Sequence, residues 1–182
     1  MGWAKLVSDK LDAELINISA SGASNFEILH NIINFNFLDS DIVVIMWTHY
    51  VRDILFKSRI KTDPLIRLGP WSTGVGSWLG QLIDTHIVVG RNWIENMNEE
   101  TFALKSWAYI HHADLYLKSK NIQYIHFPAA PYELLKYPVN YKIDNLHLHG
   151  IFKIDLGNDN AHPGVESNKH TADLIYKKLN EK

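Results

Sequence analysis

Near the end of the chain, Asp159-Asn160-Ala161-His162-Pro163-Gly164 places a carboxylate three residues ahead of an imidazole. On one turn, that spacing lets the carboxylate orient the ring while the ring moves a proton, the roles of orienter and general base in acyl transfer. Histidine suits the task because its ordinary pKa lies near neutrality. The same residues also read as a plain turn, with Asp159 or Asn160 closing the loop and His162 facing water. A hydrolase built on this pair needs a nucleophile. Ser19, Ser21, Ser24, Ser72 and Ser77 are the candidates, and none sits in a Gly-x-Ser-x-Gly strand-to-helix elbow. The chain has no cysteine, which excludes a thiol nucleophile, a disulfide and a thiolate zinc site.

A second group of residues could ligate metal. His147 and His149 alternate, so on a strand they share one face. With Asp155, Asp159 or His162 they could form a His/carboxylate site. His111 and His112 are adjacent on a helix and point apart, so at most one could join. The plainer reading makes all of them polar residues of a rim, and no cofactor or metal is expected. Trp71, Trp78, Trp93, Trp107, Tyr132, Tyr137 and Tyr141 could stack on sugar rings, although such residues more often pack cores and rims.

The elements that must position these residues alternate in kind. Helical spacing runs over Trp3 to Leu11, Phe26 to Phe37, Asn98 to Lys118 and about Asn168 to Leu179. Ser24 or Asn25 is expected to cap the second helix. Leu15 to Ile18 reads as a short buried strand, Asp41 to Trp47 as a strand covered on both faces, and Ile122 to Phe127 as a third strand stopped by Pro128. Tyr132 to Tyr137 suggests a helical turn and Leu146 to Phe152 a short extended segment. Thr48 to Gly90 is an irregular excursion rich in glycine, placed to act as a lid or rim. This order predicts a three-layer α/β fold with a mainly parallel sheet, whose ligands sit beyond the carboxyl ends of the strands.

The 182 residues fit one domain, 1–182. A formal net charge of −2, without a Lys/Arg cluster, gives no reason to expect nucleic acid or an anionic membrane as partner. The longest apolar run, Ile42 to Trp47, is too short to span a bilayer, and no secretory signal is visible. A soluble cytoplasmic protein is the expectation.

The ordered blocks resemble those of the SGNH (GDSL-type) hydrolases, flavodoxin-like esterases, lipases and acetylhydrolases. Asp159-Asn160-Ala161-His162-Pro163 matches the family's final Asp-x-x-His block. Ile16 to Asn25, with Gly22 as its glycine, is similar to the second block. Asp41 to Thr48 occupies the place of the third, with Trp47-Thr48-His49 and Arg52 where Gly-x-Asn-Asp is expected. The resemblance spans Trp3 to Lys178. It implies His162 as base, Asp159 as orienter and a small-molecule or carbohydrate ester as substrate. The Gly22 N–H would bind the oxyanion, unless Gly22 is a turn glycine; the Asn25 amide would help, unless it caps its helix. Arg52 could grip a substrate anion or form a salt bridge, and Trp47 could line the substrate or pack the rim. The Gly-Asp-Ser block that carries the family's nucleophile is nowhere in the sequence. Two functions therefore stand: an ester hydrolase if that block is supplied, and a non-catalytic glycan- or protein-binding module derived from the fold. A sheet lacking its first strand also exposes an edge, which predicts self-association.

Overall fold

A computed structural model describes residues 2–20, 22–56, 65–68, 98–140, 142–148, 153–160 and 162–181. The elements are α1 (Trp3–Leu11), α2 (Asn25–Asn34), β1 (Ile42–Trp47), β2 (Asp53–Phe56), β3 (Leu65–Leu68), α3 (Glu99–Ser119), β4 (Gln123–Pro128), the short α4 (Pro131–Leu134) and α5 (Val165–Asn180).

The centre is a parallel pair, β1 with β4, in register from Ile42 opposite Gln123 to Trp47 opposite Pro128. A strand apolar at every position must be covered twice, and helices lie on both faces. Ile45 and Trp47 of β1 and Tyr124 of β4 join Leu29 and Ile32 of α2 and Phe102, Trp107, Ile110 and Leu117 of α3 in one core. The alternate residues Val44, Met46, Ile125 and Phe127 pack on Val7 of α1 and on Ala172 and Ile175 of α5. The protein is thus a mixed α/β chain with α2 and α3 on one face and α1 and α5 on the other.

All four long helices run against the strands. Asn25 at the start of α2 bonds Thr48, just past β1. Glu99 at the start of α3 accepts from Tyr50, and Ile122 just before β4 donates to Leu117 near the end of α3. Gln123, first in β4, donates to Leu179 near the end of α5. Trp3 N donates to Asn168 Oδ1 at 2.9 Å, which sets the start of α1 beside the start of α5. The carboxyl edge of the sheet therefore gathers four helix beginnings.

The caps explain the boundaries. Ser24, not Asn25, caps α2, its Oγ accepting from Glu27 N at 3.2 Å. Asn98 caps α3 through Thr101 N at 2.7 Å. The last helix, expected from about Asn168, begins at Val165. Asp155, ten residues upstream, supplies its first turn with acceptors for Glu166 N at 3.1 Å and Ser167 N at 2.8 Å. Gly164 makes this approach possible, because a Cβ there would lie 2.3 Å from Asp155 Oδ2 and 2.7 Å from Leu156 O. Gly164→Ala is expected to cost about 1–3 kcal/mol by overpacking, read from a urea unfolding midpoint.

Three sequence expectations change. Leu15 to Ile18 forms no strand, and Leu15, Ile16 and Ile18 are 39%, 60% and 46% exposed. A strand needs a ladder to satisfy its backbone, and among the described residues β1 has β4 as its strand partner and the segment has none. Of Leu146 to Phe152, a single parallel bridge, Leu146 to His126, is formed, and 149–152 lie outside the described residues. The excursion contains an antiparallel pair, β2 with β3, while 57–64 and 69–97, with Ser72, Ser77, Trp71, Trp78 and Trp93, lie outside the described residues. So do Ser21, Tyr141 and His149. Among the described residues no helix is long and apolar enough to cross a membrane.

Candidate functional site

The Asp159–His162 turn closes on itself. His162 N donates to Asp159 Oδ1 at 3.0 Å, and the His162 ring meets Asp159 Oδ2 through Nδ1. The turn is held from below by Gly157 N donating to His162 O at 2.8 Å and by the Leu156–Pro163 bridge. A carboxylate on Nδ1 favours the tautomer with its proton there and leaves Nε2 as the acceptor. The His162 side chain is 81% exposed, so that nitrogen is open to a ligand. The turn leads into α5 and so stands at the carboxyl edge of the sheet, on the α1/α5 face.

The Gly22–Asn25 loop reaches the same edge on the opposite face. Gly22 has φ 74°, a left-handed conformation that a residue without Cβ adopts at little cost. Ala23 N donates to Ala20 O at 3.2 Å and closes the bend. Asn25 departs from both of its expected roles. Its side chain is buried, Oδ1 accepts from Thr48 N at 2.9 Å, and Nδ2 donates to Thr48 O at 3.3 Å and to Ser106 Oγ at 2.9 Å. Both amide hydrogens are taken, so Asn25 is a bracket between α2, β1 and α3 and has no donor left for an oxyanion.

Trp47 is likewise corrected. Its side chain is fully buried in the core and its Nε1 donates to His126 Nδ1 at 3.2 Å, leaving no indole face for a substrate. Arg52 follows β1 and donates its N–H to His49 O at 3.1 Å. Arg52 is half-buried, and burial pulls its pKa below the ordinary value. Tyr50 and Tyr137 both donate to Glu99 Oε2, at 3.2 and 3.1 Å, beside the same edge.

Among the described residues no three His, Asp or Glu side chains gather as a cation would need. Asp155 is consumed by α5: besides the two backbone donors, Ser167 Oγ donates to its Oδ1 at 2.7 Å. Bonds from Ser167, its hydroxyl first, hold the Asp155 pKa below the ordinary carboxylate value.

The sequence reading missed a buried polar network beneath the site. Asp114, fully buried on α3, accepts from Tyr124 OH at 2.6 Å and from Lys118 Nζ at 2.7 Å. Lys118 also bridges to Asp144 at 2.8 Å. His126 is fully buried, and Trp47 donates to its Nδ1, so the ring proton sits on Nε2 and is donated to Asp144 O at 2.9 Å. Two signals were legible: Asp114 and Lys118 stand four apart on a helix, and Tyr124 and His126 alternate on a strand. Burial, the largest influence, pushes the His126 pKa below its ordinary 6.5. A depressed histidine pKa means that the fold prefers the neutral ring, so its stabilisation is full above the unfolded pKa and declines as pH falls below about 6.5. The urea midpoint should fall between pH 7.5 and 5.5, and His126→Gln should flatten that slope.

The chain matches no protein-family model, and no curated protein or solved structure matches it.

Proposed function

We propose that this chain is an SGNH-type ester-hydrolase domain of flavodoxin-like architecture, with His162 as general base and Asp159 as its orienter. The observation that carries the proposal is the formed Asp159–His162 pair, which presents an outward Nε2 at the carboxyl edge of a parallel sheet. In that role Nε2 takes a hydroxyl proton as the acyl carbonyl is attacked and returns it to the leaving alcohol. The Gly22 N–H is the oxyanion donor, and the substrate is an acyl or acetyl ester of a small molecule or carbohydrate. Because the 182 residues hold no Gly-Asp-Ser, the nucleophile has to be supplied from outside them.

A second reading, a non-catalytic glycan- or protein-binding module, is favoured by Asn25, whose amide is spent on Thr48 and Ser106. One pair of measurements tests the cleft that both readings share and the missing nucleophile. On titration with an acetylated sugar, NMR signals of the His162 ring and the Gly22 amide should shift together; movement of only one, or of neither, removes the shared cleft. A fluorophosphonate probe should leave the chain unlabelled and aryl acetate turnover should not exceed a heat-killed control. A covalent serine adduct would show that one of the chain's own serines is the nucleophile.

A further inference from the structure

We propose that the outward face of α3 is a self-association surface, on which a second copy of this chain packs its own α3 antiparallel about a two-fold axis. The surface is separate from the sheet and does not depend on His162 being catalytic.

α3 carries more apolar residues than its core face holds. Phe102, Ala103, Trp107, Ile110, Ala113 and Leu117 point inward and are buried. Leu104 and Leu115 lie outside that set and are 45% and 51% exposed. A helix with one covered stripe ordinarily turns polar residues outward. Neighbouring segments hold the two flanks of α3 and leave the outward face between them. On one flank the Tyr116 hydroxyl donates to Ile33 O of α2 at 3.1 Å. On the other, Trp107 Nε1 donates to Tyr137 O at 2.8 Å, and Lys118 bridges to Asp144 at 2.8 Å.

The spacing and charge of this face fit a second copy of itself. Leu104, Ala108, His111 and Leu115 are separated by four, three and four residues, the repeat of a coiled-coil seam. The series reads the same from either end. Turned end for end about a point between Tyr109 and Ile110, it sets Leu104 against the partner's Leu115 and Ala108 against the partner's His111. Charge selects this direction. α3 opens with Glu99 and Glu100, and its last turn holds Lys118. The antiparallel pair brings Glu100 within one residue's rise of the partner's Lys118, whereas a parallel pair would set acid on acid and base on base.

Shape agrees with the spacing. Ala108, His111, His112 and Leu115 border a shallow hollow, which Tyr116 and Ser119 extend. Residues so spaced form the four-cornered hole that receives a side chain from a facing helix. The side chain that enters is the partner's Ala108, small enough for the two helix axes to approach to about 8 Å. The contact is isologous, so each copy fills the other's hollow. One helix a side buries less than about 1,200 Å², the size of a reversible contact, and the dimer forms with rising concentration.

Sedimentation equilibrium on the full chain, from micromolar to millimolar concentration, tests this. The mass should rise from 21.0 kDa towards twice that value. Leu104→Glu and, separately, Leu115→Glu should each lower the association constant about tenfold or more. Both side chains are exposed, so the far-UV circular dichroism should not change. The chain has no cysteine, so engineered thiols report the direction of pairing. Leu104→Cys and Leu115→Cys chains should crosslink readily when mixed and poorly when either is oxidised alone. A mass of 21.0 kDa at every concentration would overturn the proposal, as would undiminished association in either glutamate variant. Crosslinking of either cysteine variant alone as fast as in the mixture would make the pair parallel, and would also overturn it.

Discussion

Asn25→Ala lowers the unfolding free energy by about 3–5 kcal/mol, because Thr48 N–H and the Ser106 hydroxyl each lose a buried partner at about 1–3 kcal/mol. Asn25 joins three elements that are far apart in sequence: the start of α2, the residue after β1 and the middle of α3. No neighbouring side chain or solvent can replace it, since Asn25, Ser24 and Ser106 are all buried. Asn25→Asp fares no better, because it keeps the acceptor for Thr48 N but sets an oxygen against Thr48 O. Ser106→Ala removes only one bond and costs about 1 kcal/mol. Urea titrations at neutral pH rank the three. A loss below about 1 kcal/mol for Asn25→Ala would show that the bracket does not hold the carboxyl edge together.

Asp114→Ala is the second large effect, a loss of about 3–5 kcal/mol, the usual cost of removing one member of a buried ion pair. The Asp114 carboxylate is fully enclosed, whereas Lys118 keeps 36% of its side-chain surface exposed. Removing the carboxylate leaves the Tyr124 hydroxyl its long 3.5 Å bond to the residue-114 carbonyl, while Lys118 keeps Asp144. Tyr124→Phe should cost about 1–2 kcal/mol, and the double variant should cost less than the sum because the two share one bond. The network also sets an alkaline limit. Bonds to Asp114 and then Asp144 raise the Lys118 pKa above its ordinary value, and burial first, then Asp114, raises that of Tyr124. In the unfolded chain both groups lose protons near pH 10 to 10.5. The folded chain still holds them there, so stability is full below about pH 10 and falls as pH rises through the shifted values. A urea midpoint series from pH 9 to 11 reads this slope, and Asp114→Ala should weaken it.

How far the sequence foretold this depended on whether a signal was local. Asn98-Glu99-Glu100 opening α3, the apolar run of β1 and Pro128 closing β4 each act within a few residues, and those elements form within a residue or so of the expected ends. The pairing of Asp159 with His162 was legible for the same reason, both lying in one turn. The failures involve partners far away in sequence. Leu15–Ile18 has strand composition, but a strand exists only with a ladder beside it. Asn25 looked like a cap or an oxyanion donor because its partners, Thr48 and Ser106, are 23 and 81 residues off. Trp47 looked like a rim residue because its bond to His126 spans 79 residues. The part Asp155 plays was not legible because a remote cap needs Gly164 to fold back onto it.

The common orientation of α1, α2, α3 and α5 has an electrical consequence. Each helix carries a macrodipole worth roughly half a positive charge at its beginning and half a negative charge at its end. Because all four point the same way, their partial positive charges gather at the rim bearing the Asp159–His162 turn, where the first-turn carboxylates Glu27, Glu99, Glu100 and Glu166 already draw on them. These charge–dipole attractions at the rim weaken in salt, whose screening length shortens to about 8 Å at physiological ionic strength.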